Sequence, residues 1–336
     1  MHRLLEEMIR LGASDMHITV GTPPVVRVDG RLHRLRANEV SEKIADKLAH
    51  SLMNEKQYDR FDIERDIDFS FGISDLGRFR CNAFHQRGSP AMVVRAIATE
   101  QKSLENIRLP DAVYAVAGIR HGLIVISGPT GAGKSTTSAA LINHINKKYP
   151  LHILTIEEPI EYVFDSQSAL IAQREVPKDT FSYETALKHA PRQNPDIIFI
   201  GEINDLDTSI SALKVAEMGF TTYTTIRATD GPSTIMRLVD MGVPEYLLRR
   251  SLKLVISQRL LKRICPHCAR KVSPNPESLK LLGMSEMQAD KLTFYRGMGC
   301  PKCNFTGYKG RIPVFEIMRL TPTLKTLLKN GTTVIE

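Results

Sequence analysis

Two groups of residues in this sequence have the types and spacing to do chemistry. The first is Gly128-Pro129-Thr130-Gly131-Ala132-Gly133-Lys134-Ser135, with the Gly-x-x-x-x-Gly-Lys-Ser spacing of a phosphate-binding loop. Glycines placed in this way let backbone N–H groups curl round phosphate oxygens, and the positive end of a following helix adds to the attraction. Lys134 offers a mobile ammonium for the β- and γ-phosphates of ATP. The Ser135 hydroxyl is a ligand for Mg²⁺, and Thr136 follows at the helix start. A buried strand, Leu123–Ser127, enters the loop and a helix leaves it, which a chance glycine turn would not require. The second group is Cys265-Pro-His-Cys268 and Cys300-Pro-Lys-Cys303, with 31 residues between the pairs. Four thiolates can close a tetrahedral structural Zn²⁺ site against water, the competing reading being two reduced pairs without metal. His267 is then a loop residue, because four cysteines suffice. Lys262, Arg263, Arg270 and Lys271 would offset the site's negative charge or meet an acidic partner. Cys81 sits in a strand-like run and reads as core.

A triphosphate site also needs a carboxylate on the metal side and a group that orients water. Asp196-Ile-Ile-Phe-Ile-Gly201-Glu202 reads as a central strand with Glu202 at its C-terminal end, where open α/β sheets bind ligands. Thr155-Ile-Glu157-Glu158-Pro159-Ile-Glu161 offers more acids after another strand, with a solvated acidic loop as the alternative.

The elements that must position these groups fall into two parts. Residues 1–100 alternate helix and antiparallel strands, an α+β pattern. Leu4, Leu5, Met8 and Ile9 recur at helical spacing, and an extended stretch Asp15–Val20 follows. Val25–Val28 meets a hairpin turn at Asp29-Gly30, and a helix is expected around Ser41–Met53. Strand-like runs then cover Asp66–Ile73, Arg78–His85 and Ala91–Ile97. A polar stretch at 101–110 reads as a linker. From residue 111 to residue 336 strands alternate with helices: Leu123–Ser127, Leu151–Ile156, Ile197–Ile200 and Thr221–Ile226, with helices at Thr136–Ile145 and Asp207–Met218. That alternation predicts a mostly parallel sheet covered by helices.

Composition sets outer bounds. With 336 residues, 42% apolar and 24% charged, the chain has the make-up of a globular protein with room for two cores. No run of about 18 uncharged apolar residues is present, and Met1–Leu11 lacks the apolar stretch of a signal peptide. A cytosolic protein is therefore expected. The net charge of +8 suits nucleic acid, an anionic membrane face or an acidic partner, and equally a basic solvated surface.

Taken in order, these blocks resemble the secretion ATPase family that drives type IV pili and type II secretion, over nearly the whole chain. The resemblance starts with Ala13-Ser-Asp15-Met-His17 and Arg27-Val-Asp29-Gly30. It runs through the phosphate loop, the acidic box Thr155–Tyr162, Gln173-Arg-Glu-Val176 and Gly201-Glu202. It ends with Ser233-Thr-Ile-Met-Arg-Leu238, Ser257-Gln258-Arg259-Leu260 and Gly307-Tyr-Lys-Gly-Arg311. It implies a homo-hexameric ring whose subunits pair a PAS-like α+β domain (1–100) with an α/β, RecA-like P-loop NTPase domain (111–336). A tetracysteine zinc element occupies 262–311. It further implies that Lys134 and Ser135 hold phosphate and Mg²⁺, that Glu202 takes the Walker B role, and that Glu161 assists. One of Arg78, Arg80 and Arg95 would approach the phosphates.

Work would pass to an inner-membrane platform protein, leaving the subunit cytoplasmic and peripheral to that membrane. The zinc element is similar to that of assembly and secretion ATPases. The N-terminus, which begins close to the PAS-like domain, resembles retraction ATPases, and the chain stops at Glu336, earlier than relatives that continue. The metal element favours the assembly and secretion branch. The sequence departs from the family pattern at Phe220 and Arg227, where histidines are usual, and at Pro191, Asn194 and Asn204. Two other readings stand beside the motor. One is a nucleotide-binding paralogue with little hydrolysis, motivated by the missing histidines. The other is a nucleic-acid translocase, ranked last because few basic residues alternate with aromatics.

Overall fold

The computed structural model describes residues 1–28, 30–97 and 109–329. The expected turn residue Asp29 and all of the linker except Leu109 and Pro110 lie outside them. The chain groups into two compact units, Met1–Ala117 with Ala139–Gly201, and Gly118–Ser138 with Glu202–Glu336.

The first part of the chain builds an antiparallel sheet of six strands: β1 (Asp15–Ile18), β2 (Val25–Val28), β3 (Arg31–Arg34), β4 (Asp66–Ile73), β5 (Gly77–Gln86) and β6 (Ser89–Ile97). Their order is β3-β2-β1-β6-β5-β4. Period-2 alternation gives the sheet one dry face. Phe79, Cys81 and Ala83 of β5 and Met92 and Val94 of β6 are buried with Met16, Ile18 and Val26. Leu5 and Met8 of helix His2–Arg10 and Ala45 and Ala49 of helix Glu42–His50 complete that core. Burial pushes the Cys81 thiol up to about 12, so it is an inert core group.

The single helix expected over Ser41–Met53 is in fact followed by a second, Glu55–Glu64. Its sequence is charge-rich and buries only Phe61, so periodicity gave no sign of it. Its start is marked chemically. Asn54 Oδ1 accepts from Gln57 N–H at 2.9 Å and Gln57 Oε1 accepts from Asn54 N–H at 3.0 Å, a capping box.

Along the remaining chain run β7 (Gly122–Ser127), β8 (His152–Glu157), β9 (Leu170–Glu175), β10 (Ile197–Ile200), β11 (Thr221–Ile226), β12 (Leu252–Ile264), β13 (Ala269–Val272), β14 (Phe294–Gly297) and β15 (Tyr308–Arg319). Within the first unit β8 pairs in parallel with β9 and β10. Within the second, β7 pairs in parallel with β11 and β12, and β15 joins β12 antiparallel. Strands β7, β10 and β11 are buried along their whole length, as strands covered on both faces must be. The long β12–β15 ladder escaped the sequence reading because β15 and the outer half of β12 are largely exposed and show no clean apolar alternation. Helices Lys134–Lys148 and Leu206–Glu217 sit close to where periodicity placed them. No helix among the described residues is long and apolar enough to cross a membrane.

Candidate functional site

The phosphate loop connects the fully buried β7 to the helix that opens at Lys134. Its shape is held from β12. Gln258, itself buried, donates from Nε2 to the Ala132 carbonyl at 2.7 Å, and Ser257 Oγ lies 2.8 Å from Ser127 Oγ. A Cβ at position 128 would stand 2.6 Å from the Gln258 carbonyl oxygen and 3.0 Å from Ala132 Cβ, so only glycine fits there. Gly131 and Gly133 have positive φ, the conformation from which backbone N–H nests for anions are built.

Lys134 is buried, its Nζ donating to the Gly128 carbonyl at 3.0 Å and lying 3.8 Å from Glu202 Oε1. Glu202 therefore stands at the mouth of the loop. Ser135 and Thr136 follow in the first helical turn, both half-buried, and Pro129 and Thr130 form the exposed rim. Glu202 also takes three hydrogen bonds from Arg227, a residue the sequence marks as a departure from the family pattern and a candidate cationic sensor in place of histidine. Gln258 appeared there only as part of a resembling block, because the contact that makes it matter spans 126 residues.

The other expected residues belong to the first unit. Alternation along β5 and β6 turns Arg78, Arg80 and Arg95 away from the core. Arg80 and Arg95 are direct cross-strand partners. Two like charges so placed repel, and carboxylates relieve the strain: Arg95 Nε donates to Asp15 Oδ1 at 2.8 Å, and Arg80 Nε lies 3.7 Å from Asp68 Oδ1. Burial works against the Asp15 charge, but hydrogen bonds from Ser14 and Arg95 outweigh it and hold its carboxyl below the usual range.

Arg80 and Arg95 line a cavity of about 200 Å³ with Pro159, Glu161 and Tyr162. Arg78 does not share it. Its guanidinium pairs with the buried carboxylate of Glu175, which also accepts from the Ser70 hydroxyl and from Ile160 N–H. Within the acidic box Glu161 is exposed and Glu157 is buried. Burial pushes the Glu157 carboxyl up to about 7 against hydrogen bonds from Thr155 Oγ1 (2.7 Å) and Gln173 Nε2 (3.3 Å). Glu157 and Glu175 were the residues that sequence reasoning did not single out. Each lay inside a motif it had quoted.

The cysteines converge. All four are free, and their Sγ atoms lie within 4.8 Å of one another. Cys265–Cys300 and Cys268–Cys303 approach to 3.9 and 3.8 Å, and Cys300–Cys303 to 3.7 Å. A disulfide would need about 2.05 Å. Four sulfurs about 2.3 Å from a shared Zn²⁺ at tetrahedral corners would sit about 3.8 Å apart, so the donor set fits that ion. Burial opposes ionisation of Cys303, yet N–H groups of Cys300 and Gly307 and neighbouring thiols bring its thiol down to about 6. The knuckle is tight. A Cβ on Gly297 would overlap the Gly307 carbonyl, whose oxygen accepts from Cys265 N–H at 2.9 Å. His267 is exposed and outside the cluster.

The profile of the type II/IV secretion system protein family matches residues 1–336. A type IV pilus retraction ATPase of Pseudomonas aeruginosa, PilT, is 40% identical over 267 residues, covering 78% of each chain. The type II secretion system ATPase E of Vibrio cholerae is 30% identical over 98% of this chain and 66% of its own length. Among solved structures, a pilus retraction motor PilT with bound ADP superposes with a TM-score of 0.78 at 35% identity, covering 98% of this chain and 85% of that one. The ATPase DotB of Legionella pneumophila, at 24% identity and a TM-score of 0.73, shares the fold. With a match along its whole length and ATPases as its relatives, the chain belongs to the type II/IV secretion system protein family, the traffic ATPases of pili and secretion machines.

Proposed function

We propose that this protein is the ATP-hydrolysing motor subunit of a type IV pilus or type II secretion machine. The observation that carries the reading is the meeting of Lys134 and Glu202, 3.8 Å apart, at a loop held open by Gly128 and Gln258. A lysine ammonium beside a carboxylate at a concave set of N–H groups suits a triphosphate, its metal and an attacking water. Gly128 to Thr136 would bind the nucleotide, with Lys134 on the β- and γ-phosphates and the Ser135 hydroxyl on Mg²⁺. That ion would neutralise charge on the phosphate oxygens. Glu202 would orient the water, helped by Glu161. Of the three arginines, Arg80 and Arg95 suit an approach to phosphate better than Arg78, which a buried carboxylate already holds.

The finer architecture belongs to the same proposal: a PAS-like domain over 1–100, a RecA-like domain over 111–336, and a homo-hexamer working on an inner-membrane platform protein from the cytoplasmic side. Cys265, Cys268, Cys300 and Cys303 would hold a structural Zn²⁺ that locks the knuckle at 262–311. This element is what supports the assembly and secretion branch. Phosphate release by the purified protein with ATP and Mg²⁺ tests the reading. Glu202→Gln should lower it roughly a hundredfold or more, the scale of a lost catalytic base, and unchanged release would refute the assignment.

A further inference from the structure

Arg227 directly follows β11. Ile203 N–H donates to the Thr225 carbonyl at 2.9 Å, which ties the backbone beside Glu202 to the end of β11. Across that tie Arg227 Nε reaches both Glu202 oxygens at 3.2 Å, and its terminal nitrogen reaches Oε2 at 2.9 Å. The pairing raises the pKa of a guanidinium that is already strongly basic, so the arginine keeps its charge. A carboxylate has about four lone-pair sites, and this fork engages both oxygens while Lys134 Nζ lies 3.8 Å from Oε1.

We propose that Arg227 is a positioning residue that restrains Glu202, so that hydrolysis waits on release of this ion pair. The inference rests on Glu202 as the water-orienting carboxylate. While the fork holds, fewer lone pairs are available to a water, and freeing them adds to the barrier of each turnover. The Arg227 side chain is 56% exposed and that of Glu202 22%, so the restraint is modest and sensitive to salt. Arginine is suited to this role where histidine is not, because it cannot lose its charge and its planar fork matches a carboxylate.

Steady-state ATP hydrolysis by the full chain tests this with Arg227→Gln, Arg227→Lys and Glu202→Gln. Arg227→Gln should raise kcat roughly two- to fivefold, about 0.4 to 1 kcal/mol at 1.36 kcal/mol per decade, with KM for ATP moving less. Arg227→Lys keeps the charge without the fork and should fall between. Added salt should raise kcat of the parent protein and leave that of Arg227→Gln nearly flat, which a merely structural role would not produce. A kcat that is unchanged or lower in Arg227→Gln overturns the proposal, and a fall above tenfold would assign the guanidinium to the transition state instead. If Arg227→Gln melts, Arg227→Lys carries the test, and its kcat must exceed the parent's. Should Glu202→Gln alone leave turnover intact, the reading of the site fails and this inference falls with it. Loss of turnover there with no gain in the arginine variants sinks only the restraint.

Discussion

Replacing Glu157 with glutamine should make the protein more stable, and more so as the pH rises. Glu157 is 8% exposed at the end of β8, and burial lifts its carboxyl from 4.5 to about 7. At 1.36 kcal/mol per unit, that shift is on the order of 3 kcal/mol. The sign follows from proton counting. Between about pH 4.5 and 7 the unfolded chain has released this proton and the folded chain has kept it, so raising the pH favours unfolding. The penalty grows through that window and is complete above about 7.

A glutamine side chain has the same shape, and its carbonyl oxygen still accepts from Thr155 Oγ1 and Gln173 Nε2, the two groups that now reach Glu157 Oε1. Urea unfolding of parent and Glu157→Gln at pH 5, 6.5 and 8 measures the effect. The variant should gain about 1 kcal/mol at pH 5 and about 3 kcal/mol at pH 8, and other titrating groups cancel in the difference. A difference that stays constant with pH, or shrinks as pH rises, would show that this carboxyl is not held neutral by burial.

Other expectations follow from single contacts. Gly128→Ala places a methyl 2.6 Å from the Gln258 carbonyl oxygen. It should weaken ATP binding by about tenfold or more while costing roughly 1 to 3 kcal/mol of stability, the usual range for overpacking. Equilibrium titration and melting separate the two effects. Arg78→Ala leaves the Glu175 carboxylate buried with only Ser70, Ile160 N–H and its other polar neighbours. Because the arginine side chain is 20% exposed, a loss of about 2 to 3 kcal/mol is expected, below the range for a fully buried pair, and denaturant unfolding reads it. Elemental analysis of the purified protein should find about one zinc per chain. Cys303→Ser or strong chelation should remove it and expose the 262–311 segment to protease, whereas a metal-free protein with that segment equally resistant would contradict the zinc reading.

What could be read from the sequence was whatever is local. The loop 128–135, the buried strand ahead of it and Glu202 at the end of an apolar run are contiguous patterns, and the structure has all of them. The strand-like run Arg78–His85, with Cys81 as a core residue, likewise lies within β5 with that thiol buried. The helix Glu55–Glu64 was missed because it buries a single residue, and the outer halves of β12 and β15 because each leans only on the other. The pairings that decide the chemistry are long-range: Gln258 with Ala132, Arg78 with Glu175, Arg227 with Glu202. No spacing rule connects residues 126, 97 or 25 positions apart. Glu157, Glu158 and Glu161 lie so close in sequence that only burial distinguishes them.

Direct binding of Mg²⁺·ATP by the parent protein and Lys134→Ala, followed by calorimetric titration, goes to the heart of the matter. The Lys134 ammonium is the side-chain cation that the loop sequence 128–135 itself offers to phosphate. Binding in the parent with loss of at least tenfold in affinity in Lys134→Ala, and no phosphate release, is the expected result. Equal affinity and equal turnover in the two proteins would mean that triphosphate is held elsewhere and that the loop is not the site.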